Sequence, residues 1–193
     1  PASPWKLAVD ADTGRIAMLT RVGVRNGLRT KPDVQLAMLP KSDSTRPIEC
    51  QDASCTGKAI SSIQWRPHSD EVLFTVTNAH EGQAQSIYQW NVRTGAVQRV
   101  AQSAGLLNGG GRYESGGCGV SYDAMVCVVA KADRPPRLER IDLSTGERQV
   151  LFDPNAALAL DMAKTTPSRL LHWTDAKGQQ FTGQFFPALR TGD

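Results

Sequence analysis

Long hydrophobic runs are missing from this sequence. The longest, such as Ala156 to Leu160, fall far short of the ~20 apolar residues that cross a bilayer as a helix, so no membrane span is expected. Charge of one sign is not gathered anywhere either. The 22 Lys and Arg and the 19 Asp and Glu are dispersed and leave a net +3. That balance describes an ordinary solvated surface and gives no footprint for nucleic acid. The first residues, Pro1 to Trp5, have neither a basic stretch nor an apolar one, so they are not a signal peptide; a mature or truncated chain would look the same. No segment carries a clear apolar period of 3.6, which speaks against a helical fold.

Reactive side chains are equally sparse. The three histidines, His68, His80 and His172, have no Ser or Cys nucleophile at an evident spacing and read as structural or solvent-facing. The glycine-rich stretch Leu107 to Gly117 has three consecutive glycines at 109–111 but no following Lys-Ser/Thr and no helix, so it is not a phosphate loop. Asp10, Asp12 and Thr13-Gly14 begin like a calcium loop, yet the later ligands are absent and the segment is a turn. No cofactor and no metal is expected.

What the chain does have is 40% hydrophobic residues at a mean hydropathy of −0.34, enough to bury a core. It also has four cysteines in two close pairs, Cys50/Cys55 and Cys118/Cys127. Around the second pair, Cys118 to Ser121 and Met125 to Ala130 read as two strands joined by a turn at Tyr122-Asp123. Ser121 and Ala124 would then be the first hydrogen-bonded pair. Alternation along the ladder makes 118 and 127 a non-hydrogen-bonded pair about 4.5 Å apart at Cα, within disulfide reach. Two buried free thiols are the plain alternative. Zinc competes poorly, because neither spacing is C-x-x-C and no His is near. Disulfides at 50–55 and 118–127 imply an oxidising compartment, periplasmic or otherwise extracytoplasmic.

The chain also repeats itself. Ser62 to Trp65, Glu71 to Thr77, Ser86 to Val92 and Ala96 to Val100 are four β-type segments joined by turn residues, among them Arg93-Thr94-Gly95. The pattern returns as Cys118 to Ser121, Met125 to Ala130, Arg137 to Leu143 and Glu147 to Phe152, with Lys131 to Pro136 as a loop and a turn at Ser144-Thr145-Gly146. The two Thr-Gly turns, 94–95 and 145–146, are 51 residues apart. A fainter copy comes first: Lys6 to Val9, Arg15 to Leu19, Val34 to Leu39, and a weak fourth strand at Arg46 to Cys50. A four-strand unit recurring at about 50 residues is the mark of propeller blades. An immunoglobulin-type sandwich would not repeat such a unit three times. The expected fold is therefore all-β: three antiparallel four-stranded blades at about 5–50, 60–103 and 118–155. Propellers need about four to eight blades to close, so these are part of a larger ring, expected to hold seven. Trp5, Trp65, Trp90 and Trp173, at strand positions, are expected to fill gaps between blades.

These blades resemble the exported propellers of the Tol-type and prolyl-oligopeptidase/dipeptidyl-peptidase groups. The W-S-P-D-G turn of those families appears as Trp65 to Ser69 and as Val120 to Ala124; their Y-x-W-x-x-x-T-G ending appears as Tyr88 to Gly95. Residues Pro167 to Pro187 form a hairpin turning on Ala176-Lys177-Gly178. It looks like the crossing from propeller to α/β-hydrolase domain in prolyl-oligopeptidase-type peptidases. With the paired cysteines, this tail is most similar to lasso-peptide isopeptidases of proteobacteria. The resemblance implies a partial propeller over 1–163 and, over 164–193, the hairpin at the entry to a hydrolase domain that is absent.

A hydrolase of this kind needs a G-x-S-x-G elbow, then Asp and His. None occurs; Tyr113 to Gly117 lacks the first Gly. No catalytic residue carries over, and the chain alone is expected to be inactive. The resemblance implies a propeller that screens and binds a peptide substrate for a serine peptidase or isopeptidase; a non-catalytic periplasmic Tol-type propeller that binds protein is the alternative. Arg112, Tyr113 and Glu114, on the glycine-rich stretch, are the candidate substrate-binding residues, since loops on a rigid scaffold are where ligands are met. The partners implied are that peptide, and either the remainder of a parent chain or further copies of this one.

Overall fold

The computed structural model describes residues 4–21, 34–41, 45–108, 117–165 and 167–188. They form three antiparallel four-stranded sheets and one two-stranded hairpin. The first blade holds β1 (Pro4–Val9), β2 (Ile16–Arg21), β3 (Val34–Leu39) and β4 (Ile48–Glu49), paired in chain order. The second holds β5 (Ala59–Trp65), β6 (Glu71–Asn78), β7 (Ala84–Asn91) and β8 (Val97–Ser103). The third holds β9 (Gly119–Val120), β10 (Ala124–Lys131), β11 (Arg134–Asp142) and β12 (Arg148–Phe152). Each is a simple meander, as the repeat requires, and the all-β propeller reading holds.

Two cores lie between the blades rather than within them. Period-two alternation sends Val72 and Phe74 of β6 toward the first blade, where they join Leu19, Leu36, Ile60, Ile63, Trp65 and Trp90. The intervening Leu73 turns the other way and packs with Ile87, Leu107, Met125, Cys127 and Ile141. The first strands of successive blades are also tied side chain to backbone. Lys6 Nζ donates to the Ser61 carbonyl at 2.6 Å and the Trp65 indole to that of Ala8 at 3.0 Å. Gln64 Nε2 and Arg66 Nε donate to the carbonyls of Cys118 (2.8 Å) and Tyr122 (2.6 Å).

Three local expectations are corrected. The segment 131–136 is not a loop: β11 begins at Arg134, with Pro135 and Pro136 inside it. The ladder slips between Val129 and Lys131, and Ala130 instead exchanges both backbone hydrogen bonds with Leu106, at 2.8 and 3.2 Å. A bulge whose opposite residue bonds elsewhere needs no N–H from the prolines. An eight-residue helix, α1 (Ala156–Ala163), follows the third blade. None of its residues is buried, so it rests on the helix propensity of Ala, Leu and Met and left no apolar stripe to read. Finally, Trp65 and Trp90 do fill blade gaps, but Trp173 is 51% exposed. It lies on the closing hairpin, β13 (Arg169–Thr174) and β14 (Gln180–Phe185). Only the backbone of Trp5 is described.

Candidate functional site

At one end of the blades a polar joint links the first and second. The β1–β2 turn is built by Asp10, whose carboxylate accepts from the Asp12 amide at 3.2 Å, from the Thr13 hydroxyl, and from Arg15 Nε and Nη2 at 3.0 and 2.8 Å. Such side-chain-to-backbone bonding is why Asp favours turns. Burial raises the Asp10 pKa, but the bonds from Thr13, Arg15 and the Asp12 amide outweigh it and hold the carboxyl below its usual range. Arg15 also crosses to the second blade. It donates to Asp70 at 2.6 Å and to the Ser69 carbonyl at 2.8 Å, and lies 4.6 Å over the Trp65 ring. His68, at φ 54°, gives its amide to Asp12 at 3.0 Å and has Nδ1 2.9 Å from the same carboxylate. These residues, Trp65 apart, line a cavity of about 220 Å³. Each carboxylate here already holds an internal partner, and the arrangement braces the two blades.

The other two histidines meet at a second place. His80, on the 3₁₀ turn Ala79–Glu81 between β6 and β7, and His172, on β13, line a cavity of about 160 Å³ with Trp173, Phe181 and Thr182. Among the described residues no Ser, Thr or Cys hydroxyl or thiol bonds a histidine ring, so no nucleophile–base pair is assembled. Arg112, Tyr113 and Glu114 lie outside the described residues. The residues that flank their segment are bedded against β5. Asn108 is buried and donates to the hydroxyls of Ser61 (3.4 Å) and Ser62 (3.1 Å), and Gly117 sits against the Gln64 side chain.

Sequence reasoning missed a charged cluster in the interface of the second and third blades. The Glu139 carboxylate, 2% exposed, takes Arg137 on one oxygen at 2.5 and 2.6 Å and Arg148 on the other at 2.6 and 2.7 Å. Burial raises its pKa; the two guanidiniums more than reverse this and hold it below the usual carboxylate range. The signal was present as Arg-x-Glu on one strand, where period two puts both on one face. The partner Arg148 could be added only once β12 was registered against β11.

All four cysteines are in disulfides, Cys50–Cys55 and Cys118–Cys127, and all four are buried. The Cα atoms of 118 and 127 are 4.6 Å apart, and Ser121 donates its amide to the Ala124 carbonyl at 2.8 Å. The first pair interrupts the fourth strand of the first blade. Cys50 N–H bonds to the Leu36 carbonyl and Leu36 N–H to that of Cys55, while Gln35 and Thr56 bridge beyond.

No protein-family model matches the chain, and no curated protein matches it. Solved structures do. A serine-to-alanine variant of the AtxE2 isopeptidase with Astexin3-dC4 bound superposes with a TM-score of 0.71, at 17% identity over 92% of this chain. The apo AtxE2 isopeptidase gives a TM-score of 0.69 at the same identity and coverage. What is shared is the fold. The chain spans about a quarter of the length of those proteins, 24% in both cases.

Proposed function

We propose that this chain is the substrate-screening and peptide-binding part of a propeller in a prolyl-oligopeptidase-type serine peptidase or lasso-peptide isopeptidase, with the catalytic Ser, Asp and His outside it. The observation that carries the reading is the coverage of the structural likeness. At 92% of the chain, it takes in more than the three blades, which a propeller of any function could share. On this reading residues 1–163 belong to the propeller and 164–193 open a hydrolase domain. Arg112, Tyr113 and Glu114 are the proposed peptide contacts. Their connection leaves β8 at the end of the blades opposite the Asp10–Asp70 joint, the same end that carries the hairpin. The disulfides favour an oxidising compartment, and we place the parent protein in the periplasm.

The test is made on the gene product that carries this segment. Its reading frame should encode a G-x-S-x-G beyond Asp193. The purified protein should cleave the isopeptide bond of a lasso peptide, a product seen by mass as the gain of one water. Replacing the elbow Ser by Ala should abolish cleavage and keep binding. A reading frame without an elbow, in a protein that binds other proteins, would give the Tol-type alternative.

A further inference from the structure

We propose that the loop joining β6 to β7 of the middle blade, residues 78–83, is a docking seat that fixes how the C-terminal hairpin stands on the propeller. Chain order alone would place the hairpin beside the third blade, which it follows. Instead it returns to the second. Thr182 Oγ1 donates to the Ala79 carbonyl at 3.1 Å, and Leu170 and Gln184 close over Gly82. A Cβ on Gly82 would come within 2.8 Å of Leu170 Cδ1 and 3.0 Å of Gln184 Nε2, so a side chain there would have to push the ends of both hairpin side chains aside.

The hairpin's register explains which side is held. Leu170 pairs with Gln184, and His172 with Thr182. These four share one face, and that largely polar face is turned to the seat. Period two puts Leu171, Trp173, Phe181 and Phe185 on the other face, and all four are exposed. Burial of apolar area would turn the hairpin the other way up, so the specific contacts of the seat decide its orientation. The loop is shaped for this. Asn78 caps it by accepting from the His80 amide at 3.1 Å, and Gly82 and Gln83 follow in left-handed conformations at φ 62° and 68°. For Gln83 that conformation is strained and is sustained by the hydrogen bond its amide donates to the Asn78 carbonyl at 3.1 Å. Where the hairpin opens a second domain, which rests on the function proposed above, the seat stands that domain over the middle blade.

Hydrogen exchange read by mass spectrometry on the 193-residue chain tests the seat. A two-stranded hairpin is marginal on its own, so slowed amides over 169–185 report docking. Gly82→Val should speed their exchange about tenfold while β5 to β8 keep their protection. Thr182→Val, which removes one bond, should give a smaller rise. Gly14→Val introduces the same left-handed strain at φ 72° with nothing within 4 Å of a Cβ there, and should leave the hairpin unchanged. A hairpin that exchanges equally in the wild type and Gly82→Val, or that responds as much to Gly14→Val, overturns the seat. If Gly82→Val does not fold, an unchanged hairpin in Thr182→Val overturns it. Absence of a hydrolase elbow in the parent frame would sink the peptidase reading and leave these exchange rates as they are.

Discussion

At Glu139 the chain buries a carboxylate between two blades and surrounds it with two guanidiniums that are 20% and 26% exposed. Removing one partner of a fully buried pair costs about 3–5 kcal/mol; water reaches both arginines here and screens part of that. Glu139→Gln is therefore expected to destabilise the chain by about 2 kcal/mol, read as a lower urea midpoint at neutral pH. The pH dependence has a definite sign. The folded pKa lies below the unfolded one, so the stabilisation is complete above the ordinary glutamate range and is lost as pH falls through the depressed value. The wild type should lose stability across that acidic window and Glu139→Gln should lose less. Parallel acid curves for the two would show that the carboxylate is not held by its arginines.

Turns of the same type do different work in different blades. Gly95 and Gly146 close equivalent Thr-Gly turns at φ 79° and 73°. A Cβ at Gly95 would meet nothing within 4 Å, whereas one at Gly146 would lie 2.3 Å from the Val100 carbonyl of the neighbouring blade. Gly95→Ala is expected to cost about 1 kcal/mol of left-handed strain. Gly146→Ala adds a clash with backbone and should cost at least about 1 kcal/mol more. Equal melting temperatures for the two variants would mean the blades are not packed as described. The disulfides act at the same scale. Replacing Cys50 and Cys55, or Cys118 and Cys127, by Ala is expected to cost about 2 kcal/mol per pair from loop entropy alone. Non-reducing peptide mapping should return 50 with 55 and 118 with 127; cross-pairing or free thiols in protein from an oxidising compartment would count against both.

For the whole molecule the open ends of the array matter most. Leu7 (59%) and Val9 (63%) lie exposed on the outer side of the first blade, Val126 (39%) and Val128 (42%) on that of the third. They stand on the strand faces turned away from the two inter-blade cores. Apolar surface of this kind, which a neighbouring blade covers in a closed ring, drives association when left open. The isolated chain is expected to scatter light with a mass above that of one copy, and Val126→Lys with Val128→Lys to lower it. A monodisperse monomer with a cooperative melt would speak for a self-contained fold and against open-ended blades.

Strand order and blade pairing were set by the sequence itself. Turn residues and alternation are local properties, and the repeat multiplies their signal three times. The 118–127 disulfide was legible for the same reason, since a two-residue turn dictates the register of the strands it joins. Tertiary structure alone decided the rest. Arg15 meets Asp70 across 55 positions, and Thr182 meets Ala79 across 103. Such pairs depend on the angle between one blade and the next and on where the chain returns after leaving the last. Neither leaves a period or a spacing in the sequence. The direction of the hairpin shows the difference most plainly. Its alternation was visible in the residues, but which face turns inward depended on contacts with a loop of the second blade.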